Sequence, residues 1–290
     1  MLLEQLINGI TTGSIYAIVA LGFTLVFGVL GIINMAHGEI FMFGAFMGVV
    51  ITSTLEGSIW LAFAVAIVVT AIMGWLLEFF ALRPLREKPG VSHLAPLIST
   101  IGVSIFLENL ADKFFGSGNQ PVTNSFSEIR FTIGTVNIYL VQIVIFCISI
   151  ALMIALSYWL LKTKGGKALR ATAENLETAS LLGVNVKRII TITVVLASCI
   201  GGIAGILVGM AFSSVNPQMG LSIGLKGLAI IILGGMGNVK GAVVGGMILG
   251  ISETLVVTVG YSGYRDAIAF VIIIIILLVR PQGIYGKKAA

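Results

Sequence analysis

Long apolar stretches separated by short polar ones dominate the hydrophobic pattern along this chain. Several of these stretches exceed the roughly 18–20 apolar residues with which a helix crosses a bilayer. The pattern therefore predicts an all-α polytopic integral membrane protein with about eight to nine transmembrane helices, some of them short or broken. The predicted helices cover residues 5–30, 32–53, 58–82, 95–114, 138–161, 187–212, 221–236, 240–260 and 266–280.

The composition supports a membrane environment. Hydrophobic residues make up 58% of the 290 residues, charged residues make up only 10%, and the mean hydropathy is +1.10. Because a soluble domain usually carries about 25% charged residues, this chain cannot cover a water-soluble globule with polar surface. We expect residues 1–290 to form a single transmembrane domain in contact with lipid, and we expect no nucleic-acid partner.

Most of the basic residues lie in four segments, and their positions predict the orientation of the chain in the membrane. Nine predicted crossings place all four segments on one side, which the positive-inside rule identifies as the cytoplasm. The N-terminus is then outside and the C-terminus cytoplasmic, and residues 115–137 form the largest outer loop. The four basic segments are 83–90, 162–170, 187–188 and 280–288.

The stretch IINMAHGEIFMFGA, residues 32–45, is unusual because three polar side chains interrupt its apolar pattern. The run LKGLAIIILGGMGNVKG, residues 225–241, is interrupted by glycines in the other half of the chain. Backbone groups freed at a break within the membrane must face protein or water, so paired breaks are typical of a transporter's substrate path. The candidates for the translocation pathway are Asn34, His37, Gly38, Glu39, Gly234, Gly235 and Gly237.

Two interpretations of Asn34, His37 and Glu39 remain open from the sequence. They are polar caps that connect two helices at the inner surface, or they line a broken helix that faces the pathway. A metal site is not expected, since one histidine and one carboxylate are too few ligands and His93 lies in a distant loop. The chain also lacks the G-x-x-x-x-G-K-S/T motif of a phosphate-binding loop, so we expect no ATP or other cofactor in this chain.

Three charged side chains fall within the predicted helices: Glu108, Lys226 and Glu253. Such residues are functional candidates because a charge in the membrane interior is costly. We predict an ion pair between Lys226 and Glu253 with a mainly structural role, because a paired charge inside a bundle fixes how helices pack. The chain has no dense series of acidic and histidine side chains, which argues against a carrier driven by an ion gradient.

The segment KGGKALRATAENLETASLLGVNVKR, residues 164–188, lies in the predicted cytoplasmic loop of about residues 163–188. Asn175 is a good N-cap for a short amphipathic helix over 176–182, and Gly183 suits its C-terminal end. A helix of about seven residues is marginal alone in water, so it needs something to pack against. Either it lies on the membrane surface or on the chain's own inner ends, or it inserts into the groove of a partner ATPase. The residues assigned to this helix are Asn175, Leu176, Glu177, Ala179, Leu182 and Gly183.

Four blocks of the sequence, taken together, resemble a known family. They are LINGITTGSIYAIVALGFTLVFGVLGIINMAHGEIFMFGAF (6–46), GKALRATAENLETASLLGVNVKRI (166–189), LKGLAIIILGGMGNVKGAVVGGMILG (225–250) and RPQGIYG (280–286). Their order along nearly the whole chain is similar to that of the inner-membrane permeases of branched-chain amino-acid ABC importers. The form INMAHGE resembles the LivH-like branch of that family.

The resemblance implies the permease domain of an ABC importer in a bacterial inner membrane, with no enzymatic activity of its own. It implies three kinds of partner: a second homologous permease subunit, two cytoplasmic ATPases that bind ATP and Mg, and an external solute-binding protein. It also implies that residues 176–183 form the coupling helix, and that branched-chain or related amino acids cross by alternating access. The alternative is a stand-alone channel or secondary transporter for a small polar solute such as urea or an amide.

Overall fold

The computed structural model describes residues 2–54, 58–88, 90, 92, 94–122, 126, 129–133, 136–258, 260 and 262–286. Most of these residues are helical, as the hydrophobic pattern predicts. The α-helices are α1 (Leu2–Leu30), α2 (His37–Val49), α3 (Ile59–Leu77), α4 (Arg83–Glu87), α5 (Ala95–Phe115), α6 (Leu140–Lys162), α7 (Lys164–Glu174), α8 (Leu176–Leu181), α9 (Val186–Phe212), α10 (Met219–Gly234), α11 (Val239–Thr258) and α12 (Arg265–Val279).

Short turns and strands complete the regular structure. The π-helical turn Val50–Thr54 continues α2, the π-helical turn Glu78–Leu82 joins α3 to α4, and a 3-10 turn over Ser262–Tyr264 precedes α12. The hydrophobic pattern does not predict the strands, which form two antiparallel pairs, β1 with β4 and β2 with β3. The strands are β1 (Gln120–Pro121), β2 (Arg130–Ile133), β3 (Val136–Tyr139) and β4 (Ser214–Val215).

Five helical segments in the described part of the chain are long and apolar enough to cross a membrane. Three shorter apolar segments accompany them: His37–Ser53, Met219–Gly234 and Phe270–Val279. The expected count of about eight to nine crossings therefore stays a prediction. The five long segments are Leu3–Leu30, Ile59–Arg86, Leu140–Lys162, Val186–Phe212 and Val239–Thr258.

The prediction of one helix over residues 32–53 is wrong at its start. The first helix ends at Leu30, Gly31 adopts a left-handed conformation with φ of 63°, and α2 begins only at His37. Gly31 tolerates this conformation because it has no Cβ atom. The chain therefore turns inward over six residues before it becomes helical again, and the polar start of α2 is carried into the bundle.

The strand pairs lie at one end of the helical bundle, which we call the β end. The Glu4 carboxylate near the start of α1 belongs to this end, because it accepts a hydrogen bond from the main-chain N–H of Asn137 in β3 at 3.0 Å. The predicted outer loop, residues 115–137, is also here. Parts of that loop lie outside the described residues, namely 123–125, 127–128 and 134–135.

The opposite end, which we call the α7–α8 end, carries the two short helices and the segment 280–286. In this segment the main-chain N–H groups of Ile284 and Tyr285 donate to the carbonyl oxygens of Leu233 and Gly234, each at 2.9 Å. The last turn of a helix leaves its carbonyl groups without partners inside the helix. The segment 280–286 therefore closes the C-terminal end of α10.

Glycines bring the central helices into backbone contact. A Cβ atom added to Gly205 of α9 would overlap the carbonyl oxygen of Phe41 in α2, and one added to Gly44 of α2 would lie 2.5 Å from the Cα atom of Gly202. Glycines between α1 and α11 make the same kind of contact. Small residues let helix backbones approach closely in a membrane, so the glycine positions fix how the core of the bundle packs.

Candidate functional site

The carboxylate of Glu39 lies inside the bundle, between three helices. Glu39 stands in the first turn of α2 and is fully buried, and its Oε1 atom accepts a hydrogen bond from the hydroxyl of Ser104 in α5 at 3.0 Å. The other oxygen, Oε2, has no hydrogen-bond partner among the described residues. It faces Gly220 of α10, where an added Cβ would overlap it. One carboxylate oxygen thus accepts a hydrogen bond, and the other lies against the backbone of α10.

The His37 ring lies in a second buried niche, on another side of α2. An added Cβ on Gly22 of α1 would overlap the ring, one on Gly201 of α9 would lie 3.2 Å from its Cε1 atom, and Phe23 packs against it edge-on at 4.6 Å. Neither ring nitrogen has a hydrogen-bond partner within the described part of the chain. Residues two apart on a helix point in nearly opposite directions. His37 and Glu39 therefore form two separate polar niches.

The interpretation of Asn34, His37 and Glu39 as helix caps is wrong. The N-cap residue of α2 is Ala36, and no side-chain hydrogen bond caps the helix. Asn34 is buried, with its side-chain oxygen lacking a partner among the described residues, and the neighbouring main-chain N–H of Met35 donates to the Thr100 hydroxyl at 3.2 Å. The inward turn before α2 places these polar groups among packed helices. Helix caps at the inner surface would instead face solvent.

The breaks in the two interrupted segments, near Gly38 and after Gly234, lie far apart. Gly38 of α2 packs against Gly220 and Gly224 near the start of α10, whereas Gly234 is the last residue of that helix. At 1.5 Å per residue, the 14 steps from Gly220 to Gly234 separate the two sites by about 21 Å. The glycine break of the second segment is therefore a turn over residues 235–238 that joins α10 to α11 at the α7–α8 end.

The glycines of this turn have conformational and packing roles. Gly235 and Gly237 adopt φ values of 102° and 79°, which favour glycine. An added Cβ on Gly235 would lie 2.6 Å from the nitrogen of Gly286, and Gly237 packs against Gly28 of α1. The pathway role predicted for Gly234, Gly235 and Gly237 has no support in these contacts.

The predicted ion pair between Lys226 and Glu253 is present and belongs to a larger network. The Lys226 Nζ atom lies 2.8 Å from Glu253 Oε1, 2.7 Å from Asp266 Oδ1 and 3.1 Å from the hydroxyl of Tyr16. The Tyr16 hydroxyl donates to Glu253 Oε2 at 2.8 Å. The network joins α1, α10, α11 and α12. Glu108 takes no part in it and stands half-buried on α5, one turn beyond the serine that holds Glu39.

The short helix of the long loop is present with its predicted caps. The Asn175 side chain accepts from the main-chain N–H of Thr178 at 2.8 Å, and Gly183 adopts φ of 85°. Leu181 and Leu182 are 83% and 76% exposed. Ala179 is only 2% exposed, so it packs against the rest of this chain and anchors α8. Asn175, Leu176 and Glu177 are exposed at the start of the helix.

The structure also adds residues that the pattern of the sequence does not single out. Ser104, Gly22, Gly201 and Gly220 complete the two niches, and Tyr16 and Asp266 complete the charged network. Within the described residues, no three side chains of His, Cys, Asp or Glu come close enough to hold a metal ion. His93 lies outside the described residues.

Replacing Ser104 with alanine is expected to lower the free energy of unfolding by about 1.5–3 kcal/mol, because the buried Glu39 carboxylate loses a hydrogen bond. Unfolding of the detergent-solubilised protein measures the change. Ser149→Ala is the matched control, since Ser149 is equally buried but its hydroxyl bonds only to Ile145 of its own helix. An equal loss in the two variants would contradict the importance of the contact between helices.

Known proteins are similar to this chain over nearly its whole length. Residues 5–277 match the family described as branched-chain amino acid transport system / permease component. The chain is 37% identical to the high-affinity branched-chain amino acid transport system permease proteins LivH of Escherichia coli and BraD of Pseudomonas aeruginosa, over 98% of this chain and 96% of each relative. The solved structure described as PsaBC from Streptococcus pneumoniae in complex with Fab has a TM-score of 0.50 at 15% identity, over 96% of this chain and 92% of that chain, which indicates a shared fold.

Proposed function

This chain belongs to the family of permease components of branched-chain amino acid transport systems, and we propose that it is the permease subunit of an ATP-driven ABC importer for branched-chain or related amino acids. Its 37% identical relatives are named as permease proteins of such transport systems. The proposed complex contains a second homologous permease, two cytoplasmic ATPases that bind ATP and Mg, and an external binding protein that delivers the substrate. The sequence itself lacks a phosphate-binding loop, so hydrolysis is assigned to the partners.

The α8 helix is the observation that carries this proposal. A helix of six residues is too short to be stable alone, yet here it is capped by Asn175 and anchored by the buried Ala179. It presents Leu181 and Leu182, most of whose apolar surface is exposed. A rigid apolar projection of this kind suits insertion into a hydrophobic groove of a partner. We assign that groove to the ATPase.

The positions of the basic residues predict the orientation of the chain in the membrane. Lys164, Lys167 and Arg170 all lie on α7, beside the proposed coupling helix. The positive-inside rule favours the cytoplasm for this end, which places the α7–α8 end toward the ATPases and the β end toward the binding protein. The N-terminus is then external, and the C-terminal segment is cytoplasmic, in the bacterial inner membrane.

Glu39 is our candidate for a pathway residue that changes its exposure during transport. Its Oε2 atom is covered by Gly220 of α10, so a small displacement of that helix relative to α2 would uncover it. In the proposed alternating-access cycle, closure of the ATPases moves α8 as a rigid body and shifts the attached helices. An uncovered carboxylate would attract the ammonium group of an amino acid. The carboxylate group of the substrate would face the N–H groups at the start of a half-helix such as α2.

Replacing both Leu181 and Leu182 with glutamate is expected to lower the ATPase activity of the assembled complex about tenfold or more, because two charges would have to enter an apolar groove. The measurement is ATP hydrolysis in proteoliposomes with and without loaded binding protein. Phe131→Glu is the control for the hydrolysis measured without binding protein, since Phe131 is an exposed apolar residue of β2 at the opposite end. Uptake that persists without any ATPase subunit would contradict the proposal and favour a stand-alone channel or secondary transporter.

A further inference from the structure

A cavity of 420 Å³ lies at the α7–α8 end, between α1, α6, α7 and the start of α11. It is separate from both niches around α2, and the proposed transport cycle does not use it. Most of the lining is apolar, with leucines from α6 and α7, and a smaller part is polar. The polar groups are the hydroxyls of Thr24 and Ser157, the side chain of Asn238 and the two cations Arg170 and Lys240.

The charge of the cavity is positive and uncompensated. Arg170 reaches it from α7 and Lys240 from α11. The guanidinium of Arg170 donates to the main-chain carbonyl of Leu160, which fixes the side chain at the cavity wall. Among the described residues that line the cavity there is no carboxylate, and neither cation has an ion-pair partner in the described part of the chain. Two neighbouring exposed cations without a counter-charge, one of them fixed in place, favour an anionic ligand.

Thr24 is a second, independent indication of a ligand. It is 2% exposed to solvent, it lines the cavity, and its hydroxyl has no hydrogen-bond partner among the described residues. Many hydroxyls in the helices of this chain donate to the carbonyl four residues earlier, as Thr11 does to Ile7. A buried polar group without a partner is destabilising. The Thr24 hydroxyl is therefore available to donate to an acceptor inside the cavity.

The outer face of α6 leads into the same cavity. Ile154, Tyr158 and Leu161 are 64%, 65% and 60% exposed, and their spacing of four and three residues puts them on one face of the helix. Leu161 also lines the cavity. An exposed, mainly apolar stripe on α6 thus reaches the cavity at Leu161.

We propose that this cavity binds the phosphate headgroup of an anionic phospholipid, with an acyl chain along the Ile154–Tyr158–Leu161 stripe. Basic pockets between transmembrane helices on the cytoplasmic side are suited to anionic headgroups. A neutral lipid would leave the two cations without a counter-charge, and a free phosphate would leave the apolar stripe uncovered. The bound lipid would join α6 and α7 to α11, and it does not depend on which solute is transported.

The test is a titration of the purified, delipidated protein with phosphatidylglycerol and with phosphatidylcholine, followed by native mass spectrometry. We expect retained phosphatidylglycerol and little phosphatidylcholine. Lys240→Gln is expected to weaken phosphatidylglycerol binding roughly fivefold, and Lys240→Gln with Arg170→Gln about thirtyfold, because each near-surface cation contributes a similar attraction. Lys113→Gln, which removes an exposed cation of α5 outside this cavity, is expected to leave binding unchanged.

Three results would overturn the proposal. The first is equal phosphatidylglycerol binding by wild type and Lys240→Gln, which keeps the Arg170 contact with Leu160 and so tests the site without disturbing α7. The second is full displacement of the lipid by millimolar inorganic phosphate, which would identify a free-anion site. The third is displacement by leucine, which would assign the cavity to the transported substrate.

Discussion

Replacing Lys226 with methionine is expected to lower the free energy of unfolding by about 3–5 kcal/mol, because it leaves the fully buried Glu253 without its cation. Methionine keeps the length and the apolar stem of the side chain, so the loss reports on charge rather than on packing. The Tyr16 hydroxyl still donates to Glu253, but a neutral donor does not replace the positive charge of the lysine. Equilibrium unfolding in mixed detergent micelles measures the effect.

The double variant Lys226→Met with Glu253→Met separates pairing from a simple loss of stability. When both members of a buried ion pair are replaced by apolar residues of similar volume, the change is often nearly neutral. We therefore expect the double variant to recover most of the stability that the single variant loses. Lys113→Met, which removes an exposed lysine, should change stability by no more than about 0.5 kcal/mol. A double variant less stable than Lys226→Met would contradict the ion-pair interpretation.

Replacing Gly205 with valine is expected to prevent the normal packing of α2 against α9. The added Cβ would overlap the carbonyl oxygen of Phe41 and lie 2.7 Å from the main-chain nitrogen of Ala45. These are backbone atoms, so no change of side-chain rotamer relieves the overlap and the two helices must separate. Overpacking of a core commonly costs about 1–3 kcal/mol and occasionally more, and a backbone clash belongs at the upper end. We expect a large loss of monodisperse protein on size-exclusion chromatography.

Gly102→Val provides the matched control for Gly205→Val. Gly102 is also helical, in α5, but an added Cβ there meets no other atom within 4 Å. Both variants undergo the same small change in helix propensity, from glycine to valine, so the difference between them isolates the contact between helices. Similar yields of folded Gly205→Val and Gly102→Val would show that the backbones of α2 and α9 are not in close contact.

Length and local chemistry explain what the sequence predicts correctly. A bilayer sets the length of an apolar helix, so the segment predicted at 187–212 appears as Val186–Phe212. The cap of α8 depends only on Asn175 and its near neighbours, and the conformation of Gly183 depends only on its own missing Cβ. Such features can be predicted from the sequence because their causes lie within a few residues of one another.

The surroundings of Glu39 and His37 depend on contacts that the sequence does not encode locally. Ser104 stands 65 residues from Glu39 along the chain, and Gly220 and Gly22 come from two further helices. The same reason explains why the sequence does not show that Ala179 is buried: α8 is amphipathic, but only its contact with the rest of the chain decides which apolar side chains are covered. Helix periodicity identifies faces, and tertiary packing decides what each face meets.

The closure of α10 by the segment 280–286 also determines when, during synthesis, the end of this helix can form its hydrogen bonds. The helix ends at Gly234, but the N–H groups that pair with its last carbonyls belong to Ile284 and Tyr285. A ribosome reaches those two residues only after it has synthesised α11 and α12. During synthesis the last turn of α10 therefore lacks these hydrogen-bond donors, and it gains them only after the chain beyond α12 has been made.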